Sequence, residues 1–531
     1  MNRSITLYDT TLRDGSQREG LSFSLADKLK ITERLDRLGI DCIEGGWPGS
    51  NPKDQEYFER VADLGLTHAE IAAFGSTRRA GVAVGEDPGL AAILATKAPI
   101  ATIFGKSWLL HVRQVLGTTP DENLRMIGES IGFLREGGRR VVYDAEHFFD
   151  GYRDDAAYAL ETLCAAAEAG AEVVVLCDTN GGTLPAEIGA IVTEVGRTIG
   201  APIGIHAHND IETAVAGTIA AVEAGAVHVQ GTINGYGERC GNANLCSVIP
   251  TLQLKLGRRC VDEDQLSGLA ETAHAVSELA NQRPDPHLPY VGTSAFAHKA
   301  GVHVNALRKR VETYQHIEPS RVGNRSRIVI SEQAGRGNVL HKAEEFGLEL
   351  GSRGAASAVL SRIKELEGRG FQFEGAEGSV ELMIRRTDTA YRPPFELVDF
   401  HVLIRSGEDG AMAAEATIKI RVGEQTIHTA ADGNGPVNAL DAALRKALLP
   451  THPQLAAVHL ADYKVRILDG AAGTAAQTRV LITSSDGTRS WSTVGCSDNI
   501  IEASWIALVD AFECALCPAP ALAGVPAEGE R

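Results

Sequence analysis

Through its first 260 residues the chain repeats one pattern. A short run of β-branched and apolar residues gives way to an amphipathic helical stretch, and then the run returns. Strands are predicted near Ile5–Asp9, Cys42–Gly45, Glu70–Phe74, Ile100–Phe104, Arg140–Asp144, Val173–Cys177, Ile203–His206 and Val227–Gly231. Their spacing of roughly 25–40 residues is what (β/α)₈ units require. The first helix is well marked. Ser24 can cap it with Asp27 three residues on, Leu25, Leu29, Leu35 and Leu38 form an apolar stripe, and Gly39 ends it.

Alternating units of this kind also suit a doubly wound open sheet. The polar residues at the strand ends decide between the two. Arg13 and Asp14 follow the first strand, Glu146 the fifth, Thr179 the sixth, His206 and His208 the seventh, and Asn242 the eighth. An open sheet would hold its first and eighth strands far apart, whereas a barrel brings all these positions to its C-terminal mouth. The expected fold is therefore α/β, a (β/α)₈ TIM barrel over residues 1–265.

The pattern then turns helical, and a Pro-rich break runs through Arg283-Pro284-Asp285-Pro286-His287-Leu288-Pro289. Residues 266–371 are expected to form helical linker subdomains. From about residue 375 the text changes again. Ala416–Val422 alternates like a half-buried strand, and a helix-like stretch follows at Val437–Leu448. Thr478–Thr483 and Trp491–Val494 read as strands before a helix-like Ile500–Ala515. A strand–strand–helix pattern thus occurs twice, about 60 residues apart, which predicts an α+β pseudo-symmetric module over 372–517. Residues 518–531, rich in Pro, Ala and Gly, are expected to be a disordered tail.

A chain of 531 residues calls for two or more domains. A net charge of −18 without a basic block argues against a nucleic-acid surface. No apolar stretch reaches the ~20 residues that span a membrane, and no signal-peptide pattern opens the chain, so a cytoplasmic protein is the expectation. Nine scattered cysteines fit a reducing compartment. Cys514-Ala515-Leu516-Cys517 lacks a second pair and reads as ordinary packing.

The most informative segment is His206-Ala207-His208-Asn209-Asp210. Side chains two apart on a strand point the same way, so both imidazoles can face one metal. Alone, they could equally be two hydrogen-bonded histidines at a strand end. Two further segments change this: Tyr8-Asp9-Thr10-Thr11-Leu12-Arg13-Asp14-Gly15-Ser16-Gln17 and Gly235-Tyr236-Gly237-Glu238-Arg239-Cys240-Gly241-Asn242-Ala243-Asn244. With D-T-T-L-R-D-G-x-Q, H-x-H-N-D and G-x-G-E-R-x-G-N in this order, the chain resembles the metal-dependent acyltransferases that condense acetyl-CoA with a 2-oxo acid. These are the isopropylmalate, homocitrate and citramalate synthases. The resemblance covers nearly the whole chain and is closest to the citramalate branch. Ser16 departs from it, standing where many relatives carry an acidic residue.

Asp14, His206 and His208 offer one carboxylate and two imidazoles to a divalent cation, a mixed set that suits Mn²⁺, Mg²⁺ or Zn²⁺. The resemblance adds Asn242 as a ligand and points to Mg²⁺ or Mn²⁺. Arg13 is assigned to the negative charge that develops on oxygen during C–C bond formation, with a salt bridge to Glu44 as the structural alternative. Thr179 is a candidate for the substrate carboxylate, or a capping hydroxyl. By resemblance, Glu146 and His303 are the candidate bases for acetyl-CoA. His303 lies in the linker with Tyr314, and in relatives the linker of one subunit covers the barrel of its partner, which implies at least a homodimer.

Phe104 and Tyr143, if both point inward, would narrow the pocket to suit the methyl group of pyruvate. The alternative is that they pack against helices, since a one-residue shift flips the face. No Arg stands out beside them for a second carboxylate. The expected reaction is condensation of acetyl-CoA with pyruvate and water to citramalate, on a route to isoleucine. The doubled module resembles the leucine- or isoleucine-sensing regulatory domain of these synthases. Its alternative is a dimerisation domain without a ligand. Rival readings are 2-isopropylmalate synthase acting on 2-oxoisovalerate, a lyase on the same barrel, and a non-catalytic amino-acid sensor.

Overall fold

The computed structural model describes residues 5–350, 353–406 and 412–517. The predicted tail at 518–531 lies outside the described residues. Eight parallel strands close into a barrel in chain order: β1 (Thr6–Asp9), β2 (Cys42–Gly46), β3 (Glu70–Ser76), β4 (Ile100–Lys106), β5 (Arg140–Glu146), β6 (Val173–Asp178), β7 (Ile203–Ala207) and β8 (His228–Gly231). The barrel closes where β1 pairs with β8, from Thr6 against His228 to Asp9 against Gly231. This pairing excludes the open sheet.

The helix Leu25–Leu38 begins as its sequence predicts. Ser24 Oγ accepts the Asp27 N–H at 3.2 Å, Asp27 Oδ2 accepts the Ser24 N–H at 2.9 Å, and Gly39 stops the helix at φ +87°. Its apolar stripe helps fill the layer between barrel and helices, which is the main core. A second, smaller cluster fills the barrel interior: Tyr8, Cys42, Ala72, Ile100, Val142, Val175 and Cys177. This interior also holds a polar column. The Tyr8 hydroxyl donates to Glu44 Oε2 at 2.7 Å and lies 2.6 Å from Thr102 Oγ1.

Strand alternation settles the two aromatics. On β5, Val142 belongs to the barrel interior, whereas Val141, Tyr143 and Ala145 lie in the layer against the helices. Tyr143 is fully buried there and does not line the pocket, so the expected role of Tyr143 in narrowing it is corrected. Phe104, paired across the sheet with Asp144, keeps the inward face and lines the mouth.

The chain divides into two compact units, residues 1–296 with 317–325, and 297–316 with 326–531. The helix Leu269–Leu279 belongs to the barrel unit. Asn234 Nδ2 donates to Ala273 O at 2.8 Å and Ser277 Oγ at 2.9 Å, tying the loop after β8 to it. In the second unit the doubled module is real, but each half has three strands. Glu396–Ser406, Met412–Val422 and Gln425–Gly433 form one antiparallel sheet, followed by the helix Pro436–Leu448. His459–Ile467, Thr478–Ser485 and Ser490–Ser497 form the other, followed by Ile500–Leu516. Among the described residues, no helix is long and apolar enough to cross a membrane.

Candidate active site

The turn after β1 delivers Arg13 and Asp14 to the barrel mouth. Asp9 locks it by accepting the Thr11 N–H and the Thr11 hydroxyl, each at 2.8 Å. Ser16 donates its hydroxyl to Arg13 O at 2.7 Å, a local backbone role for the departure noted above. On β7, His206 sits inside the strand, and His208 just beyond it pairs with Asn242 through a backbone bridge. The loop that carries Asn242 needs its glycines. A Cβ on Gly237 (φ +151°) would lie 2.1 Å from Asn242 Nδ2, and one on Gly241 (φ +93°) 2.0 Å from Gly235 O.

Asp14, His206 and His208 converge as the sequence predicts, with ligand atoms within 4.8 Å of one another. Asp14 Oδ2 lies 3.2 Å from His206 Nε2 and 3.9 Å from His208 Nε2, and the two Nε2 atoms are 3.4 Å apart. All three side chains are buried. Burial works against the Asp14 carboxylate, but Arg13 and the imidazoles outweigh it and hold the group well below its ordinary range. Burial also opposes a charged His206, yet the hydrogen bond and charge of Asp14 raise it. His208 is pushed down to about 4 by burial and then by His206. The cluster thus offers an anionic oxygen and a neutral imidazole.

The residues fit a divalent cation. Among the described residues, Asn242 Oδ1 is buried without a hydrogen-bond partner, while its Nδ2 donates to Tyr236 O at 3.1 Å. A buried, unpaired amide oxygen on the residue bridged to His208 is costly unless a cation or water meets it. His206 has a second partner behind it. Gln230 Oε1 lies 2.9 Å from His206 Nδ1, and Gln230 Nε2 donates to Asp144 Oδ1 at 2.9 Å. Burial, and then the charge of Glu44, raise Asp144 to about 7.

A cavity of about 220 Å³ opens over the triad, lined by Arg13, Phe104, Glu146 and Thr179 among others. Arg13 pairs with Glu44 through Nε, the salt bridge expected as the structural alternative, and still lines the cavity. Its guanidinium also lies 3.4 Å from Asp14 and 3.7 Å over the Phe74 ring. Trp47, Phe74 and Phe104 form an aromatic wall. Phe74 and Phe104 stack at 5.5 Å, and Trp47 meets both edge-on at 5.6 and 5.8 Å. Asp54 fixes Trp47 by accepting its backbone N–H at 2.9 Å, and the buried Lys28 is paired with the same carboxylate.

Thr179 Oγ1 accepts the backbone N–H of His147 at 2.8 Å, which leaves its own hydrogen free to donate. Glu146 pairs with Lys106 at the end of β4. A second guanidinium in the lining, Arg239, is held by Asp210 at 2.7 and 2.9 Å and by Thr179 O at 2.7 Å. His303 and Tyr314 belong to the second unit, where their rings stack at 4.1 Å. Sequence reasoning missed Trp47, Phe74, Lys106, Asp144 and Gln230. Lys106 and Asp144 have a parity signal, since each shares its strand face with a residue already singled out, Phe104 and Glu146; Trp47, Phe74 and Gln230 lie on strands or loops where no residue was singled out.

The chain is similar to known proteins along nearly its whole length. The family model described as HMGL-like matches residues 4–276. A homocitrate synthase post-HMGL domain-like model matches 290–370, and a LeuA allosteric (dimerisation) domain model matches 374–516. An (R)-citramalate synthase of Synechocystis sp. is 55% identical over 523 residues, covering 96% of each chain. One of Geobacter sulfurreducens is 52% identical over 511 residues, covering 96% of this chain and 97% of its own. A 2-isopropylmalate synthase of Methanocaldococcus jannaschii is 30% identical over 510 residues, covering 95% of this chain and 93% of its own. With the closed barrel, the Asp14–His206–His208 cluster and these full-length matches together, the chain belongs to the isopropylmalate, homocitrate and citramalate synthase family, in its (R)-citramalate synthase branch.

Proposed function

We propose that the protein condenses acetyl-CoA with pyruvate and, with water, releases (R)-citramalate and CoA. The observation that carries this reading is the 55% identity to an (R)-citramalate synthase along 96% of both chains. The aromatic wall of Trp47, Phe74 and Phe104 supports it, since bulk beside the triad favours a methyl group over a branched one.

Asp14, His206 and His208, with Asn242, would hold Mn²⁺ or Mg²⁺. The bound ion would supply Lewis acidity at a 2-oxo acid's carbonyl. The chain's own groups do the rest. Thr179 donates its free hydroxyl hydrogen to the substrate carboxylate. Arg13, positioned by Glu44 and the Phe74 face, stabilises the charge that develops on the keto oxygen. Glu146, oriented by Lys106, takes a methyl proton from acetyl-CoA. His303, stacked on Tyr314, is the second group assigned to proton transfer, and a homodimer is the assembly we infer from the resemblance. Thioester hydrolysis then frees CoA and makes the condensation effectively irreversible.

Thiol release from acetyl-CoA with Mn²⁺ tests the reading, comparing pyruvate, 2-oxoisovalerate and 2-oxoglutarate. A strong preference for pyruvate is expected. Preference for 2-oxoisovalerate would move the enzyme to 2-isopropylmalate synthesis. Phe104→Ala is expected to relax selectivity for pyruvate over 2-oxoisovalerate by roughly 10-fold or more, the scale of a methylene or two in an apolar pocket. Unchanged kcat/KM ratios would remove Phe104 from substrate choice.

The committing step of a pathway is a natural point for feedback, and we assign the doubled module to sensing isoleucine. Removing the residues after about 375 is expected to relieve inhibition by isoleucine in a truncate that still condenses pyruvate. Inhibition that persists in this active truncate would place the sensor elsewhere.

A further inference from the structure

β8 carries a buried glutamine whose two ends face different partners. Gln230 is fully buried, with Asp144 on one side and His206 on the other. A primary amide is a donor at nitrogen and an acceptor at oxygen, so its orientation dictates what each neighbour must be. The Asp144 carboxylate, 2.9 Å from Gln230 Nε2, takes the donor end. The acceptor end therefore faces His206 Nδ1, also at 2.9 Å, which requires a hydrogen on Nδ1.

The other ring nitrogen, Nε2, is the atom that faces Asp14 Oδ2 at 3.2 Å and His208 Nε2 at 3.4 Å. We propose that Gln230 is a positioning residue that fixes the tautomer and ring orientation of His206, with Asp144 fixing Gln230 in turn. A flipped amide would set its NH₂ against Nδ1 and its oxygen against Asp144, leaving two mismatched contacts where water does not compete. It would also place the imidazole hydrogen on Nε2, the nitrogen that must offer a lone pair to a cation. His208 has no such support, since its buried Nδ1 is without a hydrogen-bond partner among the described residues. Of the two imidazoles, His206 is the one set in advance.

The inference rests on the reading of Asp14, His206 and His208 as a metal triad, and the test separates the two. Full-length protein is stripped of metal and titrated with Mn²⁺ alone, with free Mn²⁺ read by electron paramagnetic resonance and no substrate present. Gln230→Met keeps the length and apolar packing of the side chain but cannot accept from Nδ1. It is expected to raise the Kd for Mn²⁺ roughly 10- to 100-fold in a protein that still folds, with a lowered melting temperature because the buried Asp144 loses its donor. The double exchange Asp144→Asn with Gln230→Glu swaps the donor and acceptor ends and still presents an acceptor to Nδ1. It is expected to bring the Kd back to within several-fold of the parent. Parent-like affinity in Gln230→Met overturns the inference. If Gln230→Met does not fold, the double exchange decides, with tight binding in support and weak binding by a folded protein against. Failure of the unaltered protein to bind Mn²⁺ would instead overturn the triad itself.

Discussion

His208→Ala is expected to lower citramalate formation by about 10³-fold or more at micromolar Mn²⁺. The estimate follows from the several kcal/mol that Lewis-acid stabilisation contributes to a reaction of this kind, at about 1.4 kcal/mol per tenfold. His208 is suited to the test because burial pushes it down to about 4, so it carries no charge that its loss would unbalance at neutral pH. Its Nδ1 has no hydrogen-bond partner among the described residues, so removal leaves no donor stranded. Folding is accordingly expected to survive, and millimolar Mn²⁺ is expected to restore part of the rate. Steady-state assays across Mn²⁺ concentrations, with a Mn²⁺ titration of the free protein, measure both effects. A variant with normal turnover at micromolar metal would refute the ligand set.

Arg13→Lys is the second large effect. The substitution keeps the charge but removes the planar fork that pairs with Glu44 and stacks 3.7 Å over Phe74. A drop in kcat of roughly 10²–10³ is expected, the range seen when one donor to a developing oxyanion is lost. Mn²⁺ affinity is expected to stay within several-fold, since Asp14 keeps a neighbouring cation. That split between kcat and metal binding distinguishes Arg13 from His208. A kcat near that of the parent would reduce Arg13 to a structural partner of Glu44.

Much of this arrangement is legible in the sequence because one half of it is periodic. Every barrel strand was readable from a short apolar run at regular spacing, and the candidate site residues of the barrel follow strand ends, while His303 and Tyr314 lie in the linker. Tyr143 was misread although the text held the answer. Glu146 and Tyr143 are an odd number of positions apart on one strand, so they cannot share a face, and giving Glu146 the mouth sends Tyr143 to the helices. The same parity rule finds Lys106 from Phe104. Gln230 was legible from the alternation Val227-His228-Val229-Gln230, which puts His228 and Gln230 on one face and the two valines on the other. The first strand of each half of the doubled module escaped notice for a different reason. Glu396–Ser406 carries apolar residues at both parities and is largely exposed, so no alternation marks it; His459–Ile467 does alternate from Asp462 to Ile467 although it is largely exposed on both faces, whereas Met412–Val422 buries every second residue through its middle.

The polar column inside the barrel has a consequence for attempts to harden this protein. Glu44 receives the Tyr8 hydroxyl from below and Arg13 from the mouth, so one carboxylate joins the barrel's interior to the guanidinium we assign to the reaction. Replacing buried polar groups of this kind by well-packed apolar ones is a common route to higher melting temperatures. Here Glu44→Leu would follow that route and at the same time release the guanidinium from its seat, whereas Tyr8→Phe would leave the Arg13–Glu44 pair in place. A selection for heat resistance alone would therefore drift toward sturdy, idle barrels, and only a screen that scores turnover alongside survival would keep the column intact.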